Sequence, residues 1–252
     1  MSTMLKIKKN FRRGERGNVL FLILIAVALF AALSYAVTSS SRSGGGDANS
    51  ETNLISSAQI TQYPATLRTS IIRMVVSNNV ESEDLEFNRP VDFDDLDTES
   101  HGVFHPDGGN ATYSNAPEDI MNTATGNTNA EGRWYFNAEN EILFVGRSTA
   151  AAGADATPDD TDSDIIAFLP DIKESICRRI NEELGITGIP VETGIEIEGH
   201  NMGTISGTTT GICDTSCAGK TIGGVSDALD GQPFGCFVQG GIYNYYHVLV
   251  ER

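Results

Sequence analysis

Residues 19–37 read VLFLILIAVALFAALSYAV, nineteen consecutive positions without a charge. As a helix this run is roughly 28 Å long, near the hydrocarbon thickness of a bilayer. Its only polar side chains are Ser34 and the Tyr35 hydroxyl, and it contains no Gly or Pro. The residues before it are basic: Lys6, Lys8, Lys9, Arg12, Arg13 and Arg16 stand against Glu15 alone. The pattern predicts a single transmembrane helix, with the N-terminus cytoplasmic and the remainder translocated. A cleaved secretory signal has a shorter apolar core. Ser34-Tyr35-Ala36 fits a small-x-small cleavage site but lies inside the run.

The formal net charge is -17. The part after the apolar run carries 33 of the 34 acidic residues against 11 of the 17 basic ones, so it is strongly acidic. Such a domain repels phosphate backbones, and nucleic acid is not expected as a partner. Cys177, Cys213, Cys217 and Cys236 all follow the run. An even number in an exported domain predicts two disulfides, with three pairings open. Cys213 and Cys217 would make half of a zinc site, but no second close pair of Cys or His accompanies them.

The junction Arg13-Gly14-Glu15-Arg16-Gly17-Asn18 before the apolar helix resembles the leader of type IV prepilins and pseudopilins. The resemblance covers residues 6–42. It implies cleavage by a prepilin-type peptidase after Gly17, leaving Asn18 as the first mature residue. The usual Phe or Met at that position is replaced by Asn18, and the usual Glu at the fifth mature position by Leu22. The missing Glu suits a minor subunit better than a major one. The resemblance implies a bacterial inner-membrane, single-pass protein with a periplasmic or extracellular head. Its expected partners are the membrane, filament or secretion-system subunits and the peptidase. The rival reading is an uncleaved signal-anchored binding protein or adhesin.

Four regions are expected: a leader over 1–17, a transmembrane helix over 18–42, a Gly/Ser-rich hinge over 43–53 and an acidic α+β domain over 54–252. The hinge holds Gly44, Gly45 and Gly46, each costing about 1 kcal/mol against Ala in a helix. Leu67, Ile71, Met74 and Val75 mark one helical face, which Ile72 and Val76 widen, so burial against a sheet is expected. Pro64 predicts a break between helices over 54–62 and 65–78. Residues 82–87 and 102–105 are weak strand candidates, and 116–123 one or two helical turns. Residues 133–136 and 141–145 read as a hairpin around 137–140. A strand is expected over 165–169. Residues 171–184 predict a helix with Asp171 and Glu174 as a capping box and Gly185 as its stop. Residues 234–238 and 242–251 flank Gly240-Gly241, a hairpin signal, with the second run an inner strand. The expected fold is α+β, a pilin-like head carrying an amphipathic helix and an antiparallel sheet.

No G-x-S-x-G, H-E-x-x-H, Walker A or G-x-G-x-x-G motif occurs, so no catalytic residue is named and no enzyme is expected. His101 and His105 have ligand spacing only on a helix, which Gly102 and Pro106 disfavour. Asp160, Asp162 and Asp164 resemble the first half of a calcium loop, within an acidic segment read as exposed. Trp134, Tyr135, Tyr243, Tyr245 and Tyr246 are read first as core and second as a sugar- or peptide-binding surface.

Overall fold

The structure, a computed structural model, describes residues 16–122, 129–146, 163–197, 202–205, 208–210 and 221–252, with side chains of the first helix described over 20–35 and from 51 onward. The chain divides into two units, Met1–Glu51 and Thr52–Arg252.

Helix α1 is assigned over Arg16–Asn78. It is the only element of the first unit among the described residues. Among the described residues no helix is long and apolar enough to cross a membrane. The expected transmembrane helix, and with it the single-pass inner-membrane localisation, is therefore corrected. The expected hinge also differs, since α1 is assigned through 44–46. Once a helix is nucleated, each further residue adds a hydrogen bond, which offsets much of the glycine cost.

In the second unit α1 continues through Pro64 instead of breaking there. Pro64 is buried on the helix's inner face, one turn after Ile60 and one before Leu67. Burial of Ile60, Leu67, Ile71 and Met74 against the sheet outweighs the one lost backbone hydrogen bond. Tyr63 packs on Trp134 with ring centroids 5.2 Å apart.

The sheet has five strands in the order β5-β1-β2-β7-β6. They are β1 (Tyr135–Ile142), β2 (Asp164–Pro170), β5 (Thr221–Ile222), β6 (Phe234–Gln239) and β7 (Ile242–Val250). The pairs β1–β2, β2–β7 and β6–β7 are antiparallel, while β1–β5 is parallel, so the sheet is mixed where a purely antiparallel one was expected. A separate ribbon pairs β3 (Gly203–Ile205) with β4 (Thr208–Thr210).

Both sheet faces are covered. Ile165, Ala167, Leu169, Tyr245 and Leu249 join α1 and the second helix, α2 (Glu174–Glu183), in one core. Ile166, Phe168, Tyr246, Val248 and Phe237 meet Ile186, Ile195, Ile197, Ile222 and Leu229 in the other. That is why β2 reads as an unbroken apolar run: successive residues face different cores. The β6–β7 turn uses Gly240 and Gly241 at φ 61° and 87°, the two left-handed positions a tight hairpin needs. β7 lies between β2 and β6, as expected of an inner strand.

Four local expectations change. The hairpin around 137–140 is a single strand, β1, with a register shift between Asn137 and Asn140. Its turn-forming residues are tolerated because their side chains are buried and hydrogen-bonded, as described below. Asp171 is no helix cap: it sits at φ 63° and accepts from Asn122 Nδ2 at 3.1 Å. α2 begins three residues later behind Lys173, without a side-chain cap. Residues 82–87 hold a 3-10 turn, Ser82–Asp84, and a single bridge from Glu86 to Gly102 instead of strands. Residues 117–121 form a turn and a bridge, not a helix.

Candidate functional site

The feature with the clearest chemical demand lies in the first unit. Over residues 20–35 of α1 every described side chain is exposed. Leu20, Leu24 and Phe30 are 70%, 69% and 73% exposed. Leu22, Ile23, Val27, Leu29 and Leu33 are exposed as well, so the helix is apolar around its whole circumference. A helix of that kind is stable only with every face covered. Gly17 and Asn18, the expected cleavage junction, fall within α1, and their side chains lie outside the described residues. So does the leader before Arg16.

The disulfide expectation resolves in part. Cys177 on α2 is bonded to Cys236 on β6, with Cα atoms 5.4 Å apart. Cys213 and Cys217 lie outside the described residues. Beside the bridge, buried Asn181 donates to the Gly188 and Cys236 carbonyls at 3.1 and 2.9 Å and accepts from the Cys236 amide at 3.0 Å. α2 is thus held to β6 both covalently and by hydrogen bonds.

Of the calcium candidates, Asp160 and Asp162 lie outside the described residues, and Asp164 is not on an exposed loop. It is wholly buried at the start of β2, where its carboxylate accepts from the Ile142 and Arg252 amides at 3.0 and 3.1 Å. Burial pushes its pKa up to about 7, against the lowering effect of those two amides. A carboxylate aimed at backbone amides is a staple between strand ends.

Similar staples hold the Gly- and Thr-rich region that the sequence left unassigned. Glu192 is buried and accepts from the Gly223 and Val225 amides at 3.3 and 3.4 Å. Asn140 donates to the Glu196 carbonyl at 2.7 Å and accepts from its amide at 3.0 Å. Asn137 donates to the same carbonyl at 3.2 Å. Gln239 exchanges both bonds with Ile195 at 2.9 Å. Thr221 donates to Glu141 at 2.8 Å. Sequence patterning misses this set because Asn137, Asn140, Glu141 and Thr221 are polar residues at buried strand positions, where a period-two pattern predicts apolar ones.

Two surface features complete the inventory. A cleft of about 200 Å³ is lined by Phe87, Arg89, Asp92, Asp95, Arg133 and Met202, among others. Arg89 is already paired with Asp92 at 2.8 Å, so the cleft has no uncompensated charge to select a ligand from that pair. Glu99, His105 and Asp107 bring ligand atoms within 4.8 Å of one another, a grouping missed in the sequence because a turn, not a helix, assembles it. His105 Nδ1 already accepts from the Asp107 amide at 3.2 Å, and both carboxylates are exposed. We assign it no metal. His101 is not part of the group.

The aromatic residues divide by burial. Trp134, Tyr245 and Tyr246 are core, while Tyr135 and Tyr243 are half-buried. Tyr245 Oη shares a hydrogen bond with His247 Nδ1 at 2.8 Å, and His247 stacks on Phe234. They form no common exposed surface. Comparisons of the chain with protein-family models, curated proteins and solved structures returned no match.

Proposed function

We propose that this chain is an assembly subunit, a minor pilin-like or pseudopilin-like component of a filament or secretion apparatus. One observation carries the reading: the sixteen described residues 20–35 are helical, apolar on all sides and exposed. Burying a Leu, Ile, Val or Phe side chain gains about 1.5–3 kcal/mol, so partner helices covering this stretch would dominate association. The partners are helices of neighbouring subunits. The leader motif adds a processing step, cleavage after Gly17 by a prepilin-type peptidase, which would free Asn18 as the mature N-terminus. The second unit, with its disulfide and buried staples, is the head presented by the assembly. No catalytic chemistry is part of this role.

Mass spectrometry of the N-terminal peptide, on protein isolated from its native source, tests the processing. A chain beginning at Asn18 is expected. A chain beginning at Met1 or Ser2 would overturn prepilin-type processing.

A further inference from the structure

The turn that follows His105 carries a polar pair that neither the sheet nor the helices use. Asn110-Ala111-Thr112 is an Asn-x-Thr triplet, and no other asparagine of the chain begins an Asn-x-Ser or Asn-x-Thr triplet. Such a triplet accepts a sugar on the asparagine amide when the middle residue is not Pro and the segment lies at the surface of a protein outside the reducing cytosol.

The backbone here is pinned and the two side chains are not. The Asn110 amide donates to the His105 carbonyl at 3.0 Å, and the Ala111 amide donates to the Val103 carbonyl at 3.0 Å. The Gly109 carbonyl accepts from Arg73. Asn110 sits at φ 48°, a left-handed position that asparagine adopts more readily than most residues. From there successive side chains alternate between two faces. Ala111 and Tyr113 pack against the first core, while Asn110 and Thr112 are exposed. The carboxamide and the hydroxyl thus share one outward face, with the small Ala111 turned inward between them. Among the described residues neither side chain has a hydrogen-bond partner. That separates Asn110 from Asn137, Asn140 and Asn181, whose amides bond to backbone carbonyls inside the fold. The Cys177–Cys236 disulfide meets the remaining condition, since such bonds persist in oxidising compartments.

We propose that Asn110 is an N-glycosylation site. The donor is a sugar or oligosaccharide joined through its anomeric carbon to a lipid phosphate or diphosphate, and a transferase carries out the exchange. Asn110 Nδ2 bonds to the anomeric carbon as the bond from that carbon to the phosphate oxygen breaks. The lipid phosphate leaves with the electron pair, and the displaced amide proton passes to a base of the transferase. The Thr112 hydroxyl is the recognition contact beside the amide and is not itself modified. The site requires neither cleavage at Gly17 nor the apolar stretch 20–35. A bulky, hydrated sugar on this turn keeps the turn itself out of subunit contacts.

The test is mass spectrometry, with fragmentation, of the peptide that contains Asn110, from wild type and from Asn110→Gln, Thr112→Ala and Thr112→Ser made in the native source. Wild type is expected to carry a sugar mass on Asn110. Thr112→Ser should keep it, and Thr112→Ala should reduce it at least tenfold although Asn110 is still present. Asn110→Gln should lack it. All three variants should retain the Cys177–Cys236 bond, read on the same digest without reductant, because neither side chain bonds within the fold. An unmodified Asn110 in the wild type would overturn the proposal. So would a sugar mass that persists in Thr112→Ala, or one that survives Asn110→Gln and therefore sits on another residue. The N-terminal peptide of the same digest reports whether the chain begins at Asn18, so this site and the assembly role succeed or fail separately.

Discussion

Asp164 and His247 oppose each other in how they tie stability to pH. Asp164 ionises near 7 in the fold, because burial disfavours its charge, against an ordinary value near 4. Between those values the unfolded chain releases a proton that the folded chain keeps, so stability falls as pH rises, by about 4 kcal/mol. His247 is held neutral by burial and by the nearby Arg68 cation, down to about 4. Its contribution is present above 6.5 and is lost as pH falls toward 4, about 3 kcal/mol in the opposite direction. The two nearly cancel in the native chain. Asp164→Asn removes the falling branch, and urea unfolding at pH 4.5 and 7 should then show stability climbing more steeply with pH than in the wild type. The same substitution turns one accepting oxygen into a donor facing a backbone amide, costing about 1–3 kcal/mol at either pH. Parallel pH curves for the two proteins would refute the assignment. Asn181→Ala strands the Cys236 amide and two carbonyls in the core. A loss of about 2–4 kcal/mol is expected in denaturant titration, with the disulfide intact.

At the scale of elements, the disulfide closes a separation of 59 residues between α2 and β6. Chain-entropy reasoning gives such a loop about 4 kcal/mol. Cys177→Ser with Cys236→Ser should lower the thermal midpoint by a corresponding amount, and reductant should reproduce the effect in the wild type. Elements whose local chemistry and tertiary environment agree were legible in the sequence. The β6–β7 hairpin follows from paired glycines between β-branched and aromatic runs, β2 from its apolar run, and α2 from its isoleucine stripe with Gly185 as stop. Elements in which tertiary contacts override local preference were not. Asn137 and Asn140 look like a turn until the Glu196 backbone is placed beside them. Pro64 looks like a break until its ring is buried between Ile60 and Leu67. Asp171 looks like a cap but accepts from Asn122 instead. Ile72 and Val76 read as part of the buried face of α1, yet both are exposed, because the sheet covers only the stripe of Ile60, Leu67, Ile71 and Met74.

At the scale of the molecule, the chain carries an exposed apolar helical stretch in its first unit and buried polar staples in its second. Net charge -17 works against packing many copies together. Association should therefore strengthen as ionic strength rises, since screening weakens the repulsion and leaves apolar burial nearly untouched. A light-scattering salt series checks this, and weakening with salt would point to a basic partner instead. The most direct test of the assembly role is the size of the native species that contains this chain, measured by sedimentation of gently extracted wild type beside Leu22→Asp with Leu29→Asp. Wild type recovered in particles of many subunits, and the variant as folded subunits too small to pellet, is the predicted result. Wild type that sediments as a lone chain, indistinguishable from the variant, would contradict it.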